Sequence, residues 1–228
     1  MLRAFRVRQG PARLTLPAVR LTATLALAAA LAGCQRPAPE PRLELTGAWL
    51  REPERTHGFE LRQDGVLALL GPSEQSGLAW NVSHGELVLS LHSERRPEPN
   101  TVRFQILALQ RDRLVLDAPG EELAGTYTRA QVAHVRGVAT YRERVALAPG
   151  ARLELALARG GAPVAAGFTD VRTPVPIPFD VSFVPSPGAP YTLALAIREG
   201  DRTLFATPAP LPVTPDGEPL EVLLRAAH

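Results

Sequence analysis

The chain contains no lysine, one cysteine and one methionine, and only 5% of its 228 residues are aromatic. A single thiol excludes any intrachain disulfide, so the fold must be held by apolar burial and hydrogen bonds alone. All 25 basic side chains are arginines, against 23 acidic ones. With five of those arginines and none of the acids lying in residues 1–33, the remainder carries 20 − 23 = −3, which withdraws electrostatic support for a nucleic-acid partner. The pI near 9.2 of the whole chain reflects its first segment. Also missing is any apolar run long enough to span a bilayer: the longest, Leu21 to Ala32, is twelve residues.

That run is informative by position. Arg3, Arg6, Arg8, Arg13 and Arg20 precede it, and Leu31-Ala32-Gly33-Cys34 closes it with the lone cysteine. A basic segment, a short apolar segment and a small-residue site have the order of an export signal. The tetrapeptide resembles the lipobox of bacterial lipoproteins, which implies that residues 1–33 are removed and that Cys34 becomes an acylated first residue. A myristoyl chain alone binds membranes marginally, but each buried methylene adds about 0.8 kcal/mol, so several chains make the attachment lasting. Gln35 in place of an aspartate implies, by resemblance to enterobacterial sorting, a periplasm-facing anchor in the outer membrane. Residues 34–42 alternate proline with polar and small residues, the pattern of an extended polyproline tether; eight such residues reach roughly 25 Å.

Beyond the tether the period is two. Leu87, Leu89 and Leu91 alternate with Glu86, Val88 and Ser90, and Val102, Phe104 and Ile106 with Arg103 and Gln105. Asp64-Gly65, His84-Gly85 and Gln110-Arg111-Asp112 stand between such runs as turns. About eight short strands in residues 43–130, with no amphipathic helical stripe, predict a small antiparallel up-and-down barrel. Gly47-Ala48-Trp49 and the terminal Arg129 of Tyr127-Thr128-Arg129 resemble the G-x-W and closing arginine of lipocalin-like domains. A META/HslJ-like barrel is a related resemblance. The lipocalin-like one implies that Trp49 plugs the barrel base under the Arg129 guanidinium, with Gly47, Trp49 and Arg129 as a structural signature.

From residue 134 to 228 the alternation continues through Leu153-Leu155-Leu157, Val175 to Phe183, Leu193-Leu195-Ile197 and Leu220-Val222-Leu224, now punctuated by proline and glycine. Seven strands with such turns predict an Ig-like β-sandwich, and so an all-β chain. Pro176 and Pro178 lack N–H donors, which predicts that the strand Val175–Phe183 is an edge or changes partners within the sheet. Gly137 to Arg144, Val175 to Asp180, Tyr191 to Ile197 and Gly200 to Phe205 resemble blocks of the YbaY/YscW family of bacterial lipoproteins. This resemblance implies a domain that binds an envelope protein, a secretin being one such partner.

No catalytic or metal-ligand pattern emerges, and no cofactor is expected. His57, His84, His92, His134 and His228 are scattered, no G-x-S-x-G elbow occurs, and His84-Gly85-Glu86 with His92 has no metal-ligand spacing. The carboxylates Glu52, Glu54, Glu98, Glu121 and Glu122 and the arginines Arg95, Arg96, Arg111 and Arg113 read as solvated loop charges. The sequence therefore predicts a non-catalytic, lipid-anchored scaffold or pilot-like protein whose exposed strand edges hold a partner. The alternative is a barrel that carries or senses a small apolar ligand in the periplasm.

Overall fold

Alternating apolar residues in the described part of the chain bury one face of nearly every strand. A computed structural model describes residues 41–93, 98–171 and 175–227. Residues 1–33, Cys34 and most of the tether lie outside the described residues, as do Arg95, Arg96 and His228. Of the expected extended tether, Pro41 and Arg42 instead open a one-turn helix, α1 (Pro41–Leu45). Its end is fixed because Leu45 is fully buried in the core that follows.

Eight strands come next: β1 (Gly47–Arg51), β2 (Gly58–Leu61), β3 (Leu67–Leu70), β4 (Gln75–Ser83), β5 (Glu86–Ser93), β6 (Asn100–Leu109), β7 (Arg113–Asp117) and β8 (Gly125–Ala130). They form one antiparallel sheet in the order β3-β2-β1-β8-β7-β6-β5-β4. The pairing of β1 with β8 brings the ends of the meander together. Between β3 and β4 no ladder forms; the bridge Val66–Ala79, the Trp80 main-chain N–H on the Gly65 carbonyl and the Trp80 Nε1–H on the Arg62 carbonyl, both at 2.8 Å, link the two sides. The barrel is thus nearly closed, with a seam. At that seam Gly77 is needed for close approach, since a Cβ there would lie 2.4 Å from the Leu67 carbonyl oxygen. At the β4–β5 hairpin His84 and Gly85 both have positive φ, 54° and 81°, the requirement of a type I′ turn.

The remaining strands are β9 (Ala133–Thr140), β10 (Arg152–Arg159), β11 (Ala162–Asp170), β12 (Ile177–Phe183), β13 (Tyr191–Glu199), β14 (Arg202–Ala206), β15 (Leu211–Val213), β16 (Leu220–Leu223) and β17 (Arg225–Ala226). These are nine strands rather than seven, because β15 and β17 are too short for alternation to reveal. One sheet runs β11-β10-β13-β14-β17 with β15 against β13, and the other β12-β9-β16. The β16–β9 pair is parallel. Of the two outcomes that the prolines allow, the first holds: among the described residues β12 is an edge strand, paired only with β9.

Two apolar cores result. One contains Leu45, Trp49, Phe59, Phe104 and Tyr127 inside the barrel, and the other Leu153, Phe183, Leu193 and Ile197 between the two sandwich sheets. A small third cluster, Ala48, Leu50 and Leu70 against Val132 and Val184, packs where the chain passes from β8 to β9. All described residues belong to one compact unit, Pro39–His228.

Candidate functional site

Four places in the fold gather side chains that could act. At the barrel base Trp49 is fully buried and its Nε1–H donates to the Leu45 carbonyl at 2.8 Å. The Arg129 guanidinium carbon lies 4.3 Å from the centre of the Trp49 rings. Its nitrogens donate to the carbonyls of Arg111, Thr46 and Glu44 at 2.7, 2.7 and 2.6 Å. Partial burial lowers its pKa, although the residue as a whole is exposed, and those three carbonyls orient the guanidinium over the indole. Gly47 has φ 124°, a backbone conformation that L side chains rarely adopt, and a Cβ there would also push the Arg129 guanidinium, whose Nη1 would lie 2.5 Å away. The three residues singled out in the sequence therefore meet, and each of the three guanidinium nitrogens of Arg129 donates to a main-chain carbonyl.

Opposite chemistry marks a cavity of about 750 Å³ lined by Leu91, Val102, Phe104 and Tyr127 from the barrel interior and by exposed Glu54, Glu74, Glu121 and Glu122. Its volume is in the range of small-molecule sites. The Tyr127 phenol donates to the Leu123 carbonyl at 2.7 Å. Burial pushes its pKa up to about 12, with Arg51 lowering and Glu122 raising it.

The third place lies where the barrel meets the sandwich, and no spacing in the sequence pointed to it. Arg62, just beyond β2, donates from Nε to Glu60 at 3.0 Å, from Nη1 to Asp180 at 2.7 Å and from Nη2 to the Ser182 hydroxyl at 2.6 Å. Ser182 in turn donates to Glu60 at 2.7 Å. Asp180 also faces His134 Nδ1 at 3.1 Å and Arg136 Nε at 3.1 Å. Burial would raise the Asp180 pKa, but the His134 hydrogen bond and the Arg62 charge outweigh it and bring it to about 2. Burial likewise works against the charge of Arg62, but its bonds to Glu60 and the charge of Asp180 win, and its pKa is raised.

Serine, histidine and aspartate thus adjoin, yet not as a nucleophilic triad. A triad histidine uses one ring nitrogen for the serine and the other for the aspartate. Here Nδ1 of His134 faces both, at 3.1 Å from Asp180 and 3.5 Å from Ser182, while Nε2 faces Glu60 at 3.5 Å. The Ser182 hydroxyl proton is engaged by a carboxylate, and the residue is only 3% exposed. The geometry suits cohesion of two elements.

His92 serves a similar contact on the other flank. It is buried, its Nε2 lies 3.0 Å from Arg152 Nη2, and its ring meets the Phe168 edge at 5.0 Å. His84 and Glu86 sit at the β4–β5 turn and strand start, apart from it, and no grouping of three metal-ligating side chains occurs among the described residues.

Finally, a cleft of about 320 Å³ runs beside the junction, lined by β3, β4, β11 and β12. Apolar Leu155, Phe179 and Val181 form part of its wall, with Arg62, Asp180 and Ser182 beside them.

Comparison with known proteins bears on the sandwich. No curated protein matches the chain. The structure of an alternative pilotin from the type II secretion system of Vibrio cholerae is similar at 18% identity with a TM-score of 0.40, covering 43% of this chain and 99% of that one. The four sequence blocks that resemble the YbaY/YscW family all fall in one matched region: residues 130–224 fit the family model of the type III secretion system lipoprotein chaperone YscW.

Proposed function

We propose that this chain is a non-catalytic, lipid-anchored chaperone of the cell envelope that assists assembly of a secretin, holding it through the sandwich. The observation that carries this reading is the family match over residues 130–224, which spans nearly the whole of the sandwich, from the end of β8 past β16. The sealed hydrogen bonding of Ser182, His134 and Asp180 supports a binding role over a chemical one. In this reading residues 43–130 are a lipocalin-like folding unit that spaces the sandwich from the membrane, and residues 134–228 are a second unit.

Deleting the protein is expected to leave the secretin of the same organism monomeric or misplaced in membrane fractions, with multimers restored by the full chain. Undiminished secretin multimers in the deletion strain overturn the reading. The anchor has its own test. Mass spectrometry of the wild-type protein should find Cys34 as the acylated first residue, and Cys34→Ser should leave the precursor uncleaved in the inner membrane. An unmodified Cys34, or another N-terminus, removes the lipoprotein assignment.

The cavity of about 750 Å³ in the barrel favours a second reading, in which the barrel carries a small apolar ligand. Apolar molecules recovered by native mass spectrometry with the intact protein, in a strain whose secretin is unaffected, would favour it.

A further inference from the structure

Sheet edges are usually paired, covered or blunted, because their free N–H and C=O groups can template another strand. Here four strand edges converge on one cleft: β3 and β4 from the two sides of the barrel seam, β11 from one sandwich sheet and β12 from the other. The register shows which main-chain groups of β12 point into it. The His134 N–H donates to the Asp216 carboxylate at 2.9 Å, and the His134 carbonyl accepts from the Asp216 N–H at 2.9 Å. Both groups of His134 therefore point away from β12, so Ser182, directly opposite, exchanges no ladder bonds with it.

By alternation the N–H and C=O of Asp180 and Ser182, and the carbonyl of Pro178, point outward from the sheet. Pro178, which has no N–H, sits where none is needed for the ladder. These outward groups have no main-chain partner among the described residues. Ser182 is only 3% exposed, whereas Pro178 and Asp180 are exposed, so the accessible stretch of this edge runs from Pro178 to Asp180. On β11 the Phe168 N–H has met a different fate, since Ser76 Oγ accepts it at 2.9 Å. Among the described residues one edge is capped and the other is not.

We propose that this cleft receives an extended segment of the secretin partner, which adds to β12 as a new strand. The inference rests on the function proposed above and names where and how the partner is held. Arg62 is already matched by Glu60 and Asp180, so the cleft offers no spare charge. The segment is accordingly uncharged, with alternate apolar side chains turned to Leu155, Phe179 and Val181.

Amide hydrogen exchange of the free, full-length mature protein gives the first test. The amide of Asp180, the exposed residue of this edge, should exchange on the order of a hundredfold faster than those of Phe179 and Val181; equal protection of all three overturns the edge assignment. For binding, twelve-residue peptides tiling the secretin of the same organism serve as probes, beside the intact secretin. The best binder should lose roughly tenfold or more in affinity when N-methylated at alternate amides, the set that faces β12, and change little when the other set is methylated. It should also slow exchange at Asp180. If methylation has no such pattern, or the intact secretin binds while no peptide does, strand addition here is wrong and the chaperone reading survives. If neither peptide nor secretin binds, both are wrong.

Discussion

Trp49→Ala should destabilise the protein by about 3–5 kcal/mol, measured by urea unfolding followed through far-ultraviolet circular dichroism. The indole is fully buried, so truncation leaves a cavity at the barrel base and removes the bond from Nε1–H to the Leu45 carbonyl. Arg129→Ala should cost less in packing, yet it strands the carbonyls of Glu44, Thr46 and Arg111. At 4.3 Å the guanidinium and the indole attract by roughly 0.5–2 kcal/mol, so the double mutant should lose less than the sum of the single losses. Additive losses would mean that the two side chains do not share the base.

Arg62→Met should be nearly as damaging, at about 3 kcal/mol, and its signature is dependence on pH. Methionine keeps the apolar stem but leaves Glu60 and Asp180, whose side chains are 12% and 26% exposed, without the cation between them. Breaking such a pair generally costs about 3–5 kcal/mol; Arg136, which still reaches Asp180 at 3.1 Å, places this case at the low end. In the wild type Asp180 has a pKa near 2, below the ordinary 3.8. A carboxyl depressed in the folded state contributes stability that is complete above its unfolded pKa and vanishes as pH falls through its folded one. Wild-type stability should therefore decline as pH falls from about 4 to about 2, and Arg62→Met should flatten that decline while lowering stability at pH 7. A parallel shift of the whole pH profile would show that the carboxyl is not held by Arg62.

The hairpins were legible from local chemistry. His84-Gly85 demanded a turn with two positive φ values, and the leucines around it could alternate only one way without exposing apolar surface. The edge position of β12 was legible as one of two outcomes, since Pro178 cannot donate to a ladder. The junction was not. Arg62 and Asp180 stand 118 residues apart, and Ser182 reads from its strand as one more polar residue on an outward face. That face is covered only because the barrel packs there, a fact that no periodicity within β12 encodes. Likewise Pro41 and Arg42 have the composition of a tether, yet they fold into α1 because Leu45 has a core to enter. The parallel approach of β16 to β9 escaped for the same reason, as strand direction is set by a partner far along the chain.

The barrel base has a mechanical consequence. Any tension borne by the chain before Pro41 enters the fold through α1 and Thr46, where the Glu44 and Thr46 carbonyls are gripped by Arg129 and Leu45 is buried. The next element, β1, is bonded along both sides, to β2 and to β8. A pull from that end cannot peel an edge strand one bond at a time; it must first wrench Arg129 from its carbonyls and then break two ladders together. Load at this end of the described chain is thus met by the part of the barrel least able to yield gradually, while the strand edges at the seam carry none of it directly.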